Sequence, residues 1–300
     1  MSLITDKDYA LSVSNVRRSF ETAANQYDKF AELQRTITDR LLEAFEYLRI
    51  NPENILDLGS GTGYGSRRLN QHFSKSQIYQ IDLSRLMISK SRKKEPFFFS
   101  RNHFLCADAK QLPLPDNHFD VIFSSLMLQW CDDLEAVFGE ARRVLKPGGL
   151  FLFATFGPDS LKELRECWRA VDERVHVNAF VDMHDIGDSL VRHGMDSPVL
   201  NVEHLTVTYD ECKQLLCELK NIGAKNINQG RRKTLTGKNR FAKMIKHYEL
   251  YRVDNKLRAT YEVIYGHAWC TTLEKQEKNK GTQSFSVDDL KRDLARRKNS

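Results

Sequence analysis

The stretch Ile55-Leu56-Asp57-Leu58-Gly59-Ser60-Gly61-Thr62-Gly63-Tyr64-Gly65 narrows the folding options of this chain more than any other. An apolar run ends in an acid, glycine then falls at every second position, and a helical pattern begins. That order predicts a buried strand, a tight turn and a helix N-terminus, where a ligand approaches backbone N–H groups with no Cβ between. The dinucleotide fingerprint G-x-G-x-x-G/A needs a third small residue for close helix–strand packing. Counted from Gly59 that position is Tyr64; counted from Gly61 it is Ser66, small enough to keep the second register open. Asp57 adds a carboxylate that would repel a pyrophosphate but would help to hold an ammonium group. A nucleoside bearing an amino acid suits the turn better than a dinucleotide. A glycine turn with no ligand is the plain alternative.

From residue 53 strands and helices alternate. Strands are expected at Glu53–Leu58, Ser76–Ile81, His103–Cys106, Phe119–Ser124 and Leu150–Phe156, with helices at Tyr64–Phe73, from Ser84 as N-cap to Lys93, and at Asp133–Leu145. Such alternation predicts a parallel sheet covered on both faces, with ligands at the carboxyl ends of the strands. Asp57, Asp82, Asp108 and Ser124 fall at or near those ends. Residues 11–50 read as an amphipathic helix, either packing on the core or forming a lid with Tyr27 and Phe20 reaching inward. After 156 the rhythm changes: helices at Asp159–Val171, Met183–His193, Tyr209–Ile222 and Arg240–Arg252, a strand of antiparallel-like alternation at Val199–Thr208, and a last strand, Ala259–Tyr265, within Leu257–Trp269.

The chain has 300 residues, 29% charged and 41% hydrophobic, with a net charge of +6. It shows neither an apolar leader nor a stretch of membrane-spanning length, so a cytoplasmic protein is expected. The six cysteines form no C-x-x-C or zinc spacing with the histidines, and no metal is expected. Arg231, Arg232, Lys233, Lys238, Arg240, Lys243 and Lys246 make a basic run that suits an acidic partner. Phe241 is the single aromatic within it, too few for a stacking surface, which argues against nucleic acid.

The glycine turn with Asp82, Cys106-Ala107-Asp108-Ala109, Leu112-Pro113-Leu114-Pro115, Phe119-Asp120-Val121-Ile122 and Arg143-Val144-Leu145-Lys146-Pro147-Gly148-Gly149 resembles the ordered motifs of class I S-adenosylmethionine-dependent methyltransferases. That resemblance implies an α/β fold, a Rossmann-like doubly wound seven-stranded sheet with an N-terminal helical lid and a helical insertion before the last strand. The implied organisation is a lid over 1–50, a catalytic domain over 51–270 with a substrate cap at 209–256, and a charged tail over 271–300. The implied cofactor-binding residues are Asp57, Gly59, Gly61, Gly63, Asp82, Leu83, Asp108, Ala109 and Ser124. Asp82 takes the ribose hydroxyls and Asp108 the adenine amino group.

Segments beyond 156 narrow the family. Gly157-Pro158-Asp159-Ser160-Leu161-Lys162-Glu163-Leu164-Arg165, Leu219-Lys220-Asn221-Ile222-Gly223-Ala224 with Gly230-Arg231, and Ala259-Thr260-Tyr261-Glu262-Val263 resemble the malonyl-(acyl-carrier protein) O-methyltransferases of biotin synthesis. Leu128-Gln129-Trp130-Cys131 and the opening Ser19-Phe20-Glu21-Thr22-Ala23-Ala24 are similar too, so the likeness spans about residues 14–269. The resemblance implies methyl transfer from S-adenosylmethionine to the free carboxylate of malonyl on acyl carrier protein, with S-adenosylhomocysteine as co-product and no membrane or nucleic-acid partner. The candidate acceptor-site residues are Tyr27 as a lid, Tyr261 closing the pocket and Arg231, whose guanidinium can hold the malonyl carboxylate bidentately and position it, with Arg232 beside it as alternative. A methyltransferase of a quinone precursor, a hydroxylase of the complex I assembly type and a non-catalytic S-adenosylmethionine-binding regulator are the competing readings.

Overall fold

Phe151 and Phe153 face one layer of the sheet while Leu150, Leu152 and Ala154 face the other, and all five are buried. That period-two alternation within one strand sets the architecture: a sheet buried on both sides needs helices on both sides. A computed structural model describes residues 6–95, 101–231, 234 and 236–271. The chain opens with α1 (Asp6–Tyr9), α2 (Val13–Ala23), α3 (Tyr27–Phe30), α4 (Glu32–Leu42) and α5 (Ala44–Tyr47). The alternating part follows: β1 (Asn54–Leu58), α6 (Tyr64–His72), β2 (Gln77–Asp82), α7 (Arg85–Lys93), β3 (Asn102–Cys106), β4 (Phe119–Ser125), α8 (Leu134–Val144) and β5 (Leu145–Phe156). Then come α9 (Lys162–Arg169), α10 (Met183–Arg192), β6 (Met195–Tyr209), α11 (Cys212–Asn221), α12 (Lys238–Tyr248), β7 (Arg252–Val253) and β8 (Lys256–Cys270).

The sheet order is β3-β2-β1-β4-β5-β8-β6, seven strands, with the two-residue β7 paired to β8 as an eighth. Neighbours from β3 to β5 are parallel, and β8 runs antiparallel between β5 and β6. The order reverses between β1 and β4, so their carboxyl ends open the crevice where ligands of such sheets bind. The described residues up to Cys270 belong to one compact unit. The tail expected beyond 271 and the basic residues Arg232 and Lys233 lie outside the described residues.

The single helix expected over 11–50 is a chain of short helices. The physical reason is that its two apolar stripes have different partners. Ser19 of α2 donates to the Gly223 carbonyl at 2.7 Å, and Phe20 stands edge-on to Trp130 with ring centroids 5.2 Å apart. Leu33, Ile37 and Leu41 of α4 instead bury in the core cluster that includes Val121, Leu150 and Leu152 of the sheet. The chain must turn between these two targets, and α3 fills the turn. The helix expected from Asp159 begins only at Lys162, because Gly157-Pro158-Asp159 is a turn closed by Glu262. Gly157 N and Asp159 N donate to Glu262, and a Cβ on Gly157 would lie 2.5 Å from its carboxyl carbon. Lys146–Gly149, expected to end α8, sits within β5 between the pairs Phe119–Leu145 and Val121–Leu150.

Candidate active site

The glycine turn is tied to the next strand before any ligand is considered. Gly59 N and Ser60 N both donate to the Ile81 carbonyl, at 2.8 and 2.9 Å. Asp82 completes the tie: its two carboxylate oxygens accept from Gly61 N at 2.9 Å and Ser84 N at 2.7 Å. Ser84 caps α7 by accepting from Met87 N, as its position in the sequence predicts. Gly61 has φ +54°, and a Cβ there would meet nothing within 4 Å, so this backbone faces open space. Gly63 is needed for the opposite reason. With φ +79°, its Cβ would fall 1.9 Å from Ser91 Oγ.

Three cavities meet at the crevice. The first runs past Leu58, Gly59, Gly61, Asp82, Leu83, Asp108 and Ala109. Phe20, Tyr27 and Trp130 also line it, from the lid and from the turn after β4. The second holds Tyr27, Gln34, Arg35, Asp57, Ser60, Gly61 and Ser125. The third lies toward the C-terminal half and is lined by Gln34, Trp130, Phe156, His176, Asn178, Lys225 and Tyr261. Tyr27 is common to the first and second, Gln34 to the second and third, and Trp130 to the first and third.

The electrostatics suit a cationic guest in the second cavity. Asp57 is buried with its Oδ2 accepting from Ser66 Oγ at 2.5 Å, and burial raises its carboxyl to about 7. Burial likewise raises Asp82 to about 6 despite its two backbone N–H donors. A buried carboxyl with a raised value gains when a cation arrives. Gln34 Oε1 and Ser60 Oγ in the same cavity are buried with no hydrogen-bond partner among the described residues. Unpaired buried acceptors of this kind cost free energy until a donor reaches them. These groups, and the open face of Gly61, fit a nucleoside that carries an amino-acid ammonium group.

Of the residues expected at a cofactor site, Gly59, Gly61, Asp82, Leu83, Asp108 and Ala109 line the first cavity and Asp57 the second. Gly63 packs on Ser91. Ser124 is fully buried and donates to the Leu58 carbonyl at 2.9 Å, clasping β1 to β4, while its neighbour Ser125 lines both cavities. The acceptor trio Tyr27, Arg231 and Tyr261 is not brought together. Tyr27 and Tyr261 face the joined cavities, and burial pushes both phenols well above the ordinary range. Arg231 lines a separate cavity, and its Nη1 donates to the carbonyls of Ile227 and Asn228 at 3.1 and 2.9 Å. The loop geometry that puts Gly230 against Asp8 turns Arg231 away from the core.

Gln34, Arg35, Lys225, His176 and Asn178 also line these cavities, and no sequence motif marks them. Gln34 and Arg35 lie on an amphipathic helix and look like solvent-facing residues there. Lys225 and the segment 176–178 carry no spacing signal at all. Trp130 did stand out in the sequence, though without a role.

Residues 56–153 match the family described as a methyltransferase domain. A protein of Nitrosospira multiformis is 44% identical over 281 residues, covering 89% of this chain and 92% of its own length. Another, from Gallionella capsiferriformans, is 46% identical, covering 87% and 92%. Both relatives carry the name malonyl-(acyl-carrier protein) O-methyltransferase. Among solved structures, Haemonchus contortus phosphoethanolamine N-methyltransferase 2 with S-adenosyl-L-methionine shares the fold at a TM-score of 0.51 and 19% identity, covering 84% of this chain and 57% of that one.

Proposed function

This chain belongs to the malonyl-(acyl-carrier protein) O-methyltransferase family, and from that premise we propose how its cavities divide one reaction. The protein is a methyltransferase that uses S-adenosylmethionine. Its acceptor is the free carboxylate of a malonyl thioester on acyl carrier protein. One observation carries the reading: the two cavities suited to a nucleoside amino acid share Trp130 and Gln34 with a third cavity that has Lys225 in its wall.

In this reading Asp82 and Asp108 hold the ribose and adenine, with Leu83 and Ala109 as apolar walls. Each Asp82 oxygen keeps acceptor capacity beyond its backbone bond, which suits a pair of ribose hydroxyls. Asp57 takes the ammonium group and Arg35 the neighbouring carboxylate. When bound, S-adenosylmethionine supplies an electrophilic methyl group on a sulfonium centre.

The acceptor needs no base from the protein, since a malonyl carboxylate is ionised at neutral pH. The side chains supply position and dryness instead. A carboxylate and a cationic centre lose their charges as they react, so an environment that excludes water favours the reaction. Phe20, Tyr27, Trp130 and Tyr261 form that environment. Lys225 replaces Arg231 as our candidate for orienting the malonyl carboxylate. A single ammonium group leaves one carboxylate oxygen to react, whereas a bidentate guanidinium would occupy both.

The test is methyl-labelled S-adenosylmethionine with malonyl-acyl carrier protein. We expect label in a base-labile ester on the carrier. Label in a free quinol, with none on the carrier, would overturn the reading.

A further inference from the structure

We propose that the cavity lined by Arg174, Arg231 and Arg240 is an anion site for the phosphodiester of the phosphopantetheine arm that presents the malonyl group. The inference rests on the malonyl-carrier reading above and adds a second recognition point to it.

The first support is position. Segments 172–178 and 226–231 are zipped together: Asn226 Nδ2 donates to the Val175 carbonyl at 2.6 Å, and Asn228 Nδ2 to Asn178 Oδ1 at 2.8 Å. His176, Asn178 and Asn226 line the acceptor cavity. Asp172, Arg174, Gln229 and Arg231 line the arginine cavity. The two cavities are thus two sides of one partition, bridged by the 2.7 Å hydrogen bond of His176 Nε2 and Asp172 Oδ1. An arm whose thioester end lies in the acceptor cavity and which passes over the edge of this partition would bring its phosphate to the arginines.

The second support is charge. Three guanidinium groups face Asp8 and Asp172. Asp172 is already engaged, by His176 and by the Arg174 backbone N–H at 3.1 Å. The cavity is therefore net positive, with forks that match phosphate oxygens.

The third support is preorganisation. Gly230 N donates to the Asp8 carbonyl at 2.8 Å and Gln229 N to the Ala10 carbonyl at 3.1 Å, so the loop is fastened to the chain's first turn. A Cβ on Gly230 would lie 2.6 Å from Asp8 Cβ. Arg231 is steered by the two loop carbonyls that its Nη1 caps. An arginine held this way loses little freedom when an anion binds.

Malonyl-pantetheine and malonyl-phosphopantetheine differ only in the phosphate, so they isolate the site. In the wild type, kcat/KM should favour the phosphorylated thioester by about a hundredfold, and Arg174→Gln with Arg240→Gln should bring the ratio to within about threefold of one. S-adenosylmethionine affinity reports folding of each variant. Binding of phosphopantetheine without malonyl, measured by calorimetry, provides a readout independent of methyl transfer. Transfer to both thioesters with no phosphate preference would sink this proposal alone. Phosphate-dependent binding without transfer to any malonyl thioester would uphold the anion site and sink the malonyl reading. A kcat/KM for malonyl-coenzyme A equal to that for the carrier protein would overturn the carrier phosphodiester as the source.

Discussion

The donor side and the acceptor side of the crevice are held by different means. On the donor side the groups we propose for binding are backbone atoms and short acids at the ends of β1 and β2, pinned by the sheet itself. Gly59 N and Ser60 N bond to the Ile81 carbonyl, and Asp82 accepts from two further N–H groups. On the acceptor side the walls are irregular segments, 172–180 and 222–231, joined mainly by side-chain amides such as Asn226 and Asn228. A site fixed by ladder geometry tolerates little change. A site fixed by a few amide bonds can be re-cut for another substrate without touching the fold, which fits the general separation of fold from specificity.

That contrast can be broken. The largest effect should come from Gly63→Ala, where both the left-handed φ and a 1.9 Å approach to Ser91 Oγ oppose a methyl group. We expect a loss of about 3 kcal/mol in urea unfolding, from overpacking and the positive φ together. Gly237→Ala, beyond the acceptor loop, has nothing within 4 Å of its Cβ and should stay within about 0.5 kcal/mol of wild type. If both behave alike, the two sides are not held differently.

Next in size is Asp57→Asn, expected to weaken S-adenosylmethionine binding about thirtyfold by titration calorimetry, as loss of a charge-assisted bond would. It should also abolish a pH dependence. Asp57 is raised to about 7, so it is protonated and a poor ammonium partner below that value. Wild-type affinity should therefore rise as pH climbs through about 7 and then level off. The ligand-free protein runs the other way. A folded-state value above the unfolded one means stability present at low pH and lost as pH rises from the ordinary 3.8 through about 7.

Lys225→Gln should lower kcat/KM for the malonyl substrate about tenfold with donor affinity unchanged. A matching loss of donor affinity would erase the boundary between the sides. The smallest effect is Asn228→Ala, which removes the bond to Asn178 and should cost about 1 kcal/mol of stability. It should also raise KM for the acceptor while leaving the donor affinity alone.

The same contrast explains what could be read in advance. The donor side announces itself because each of its demands falls on one residue type at one spacing: glycine where a Cβ cannot stand, an acid where a strand ends. Ser84 as a cap and Asp82 at the end of β2 follow directly from such local rules. Ser124 and Ser125 show the limit. Adjacent strand residues point to opposite faces, and the sequence alone did not tell which serine met the cavity. On the acceptor side, Arg231 has the chemistry to hold a carboxylate, but its loop is fastened by Asp8 and Ala10, more than two hundred residues earlier, and it lines a separate cavity. Lys225 carries no local signature, since its place depends on how Gly223 meets α2.

Asp28, one residue past Tyr27, accepts from Thr62 Oγ1 of the glycine turn at 2.6 Å and from Lys94 Nζ just past the end of α7 at 2.5 Å. One side chain of the N-terminal segment thus spans the glycine turn after β1 and the end of α7. Losing it would free two neighbouring elements at once, so Asp28→Ala should loosen the turn and the helix end together.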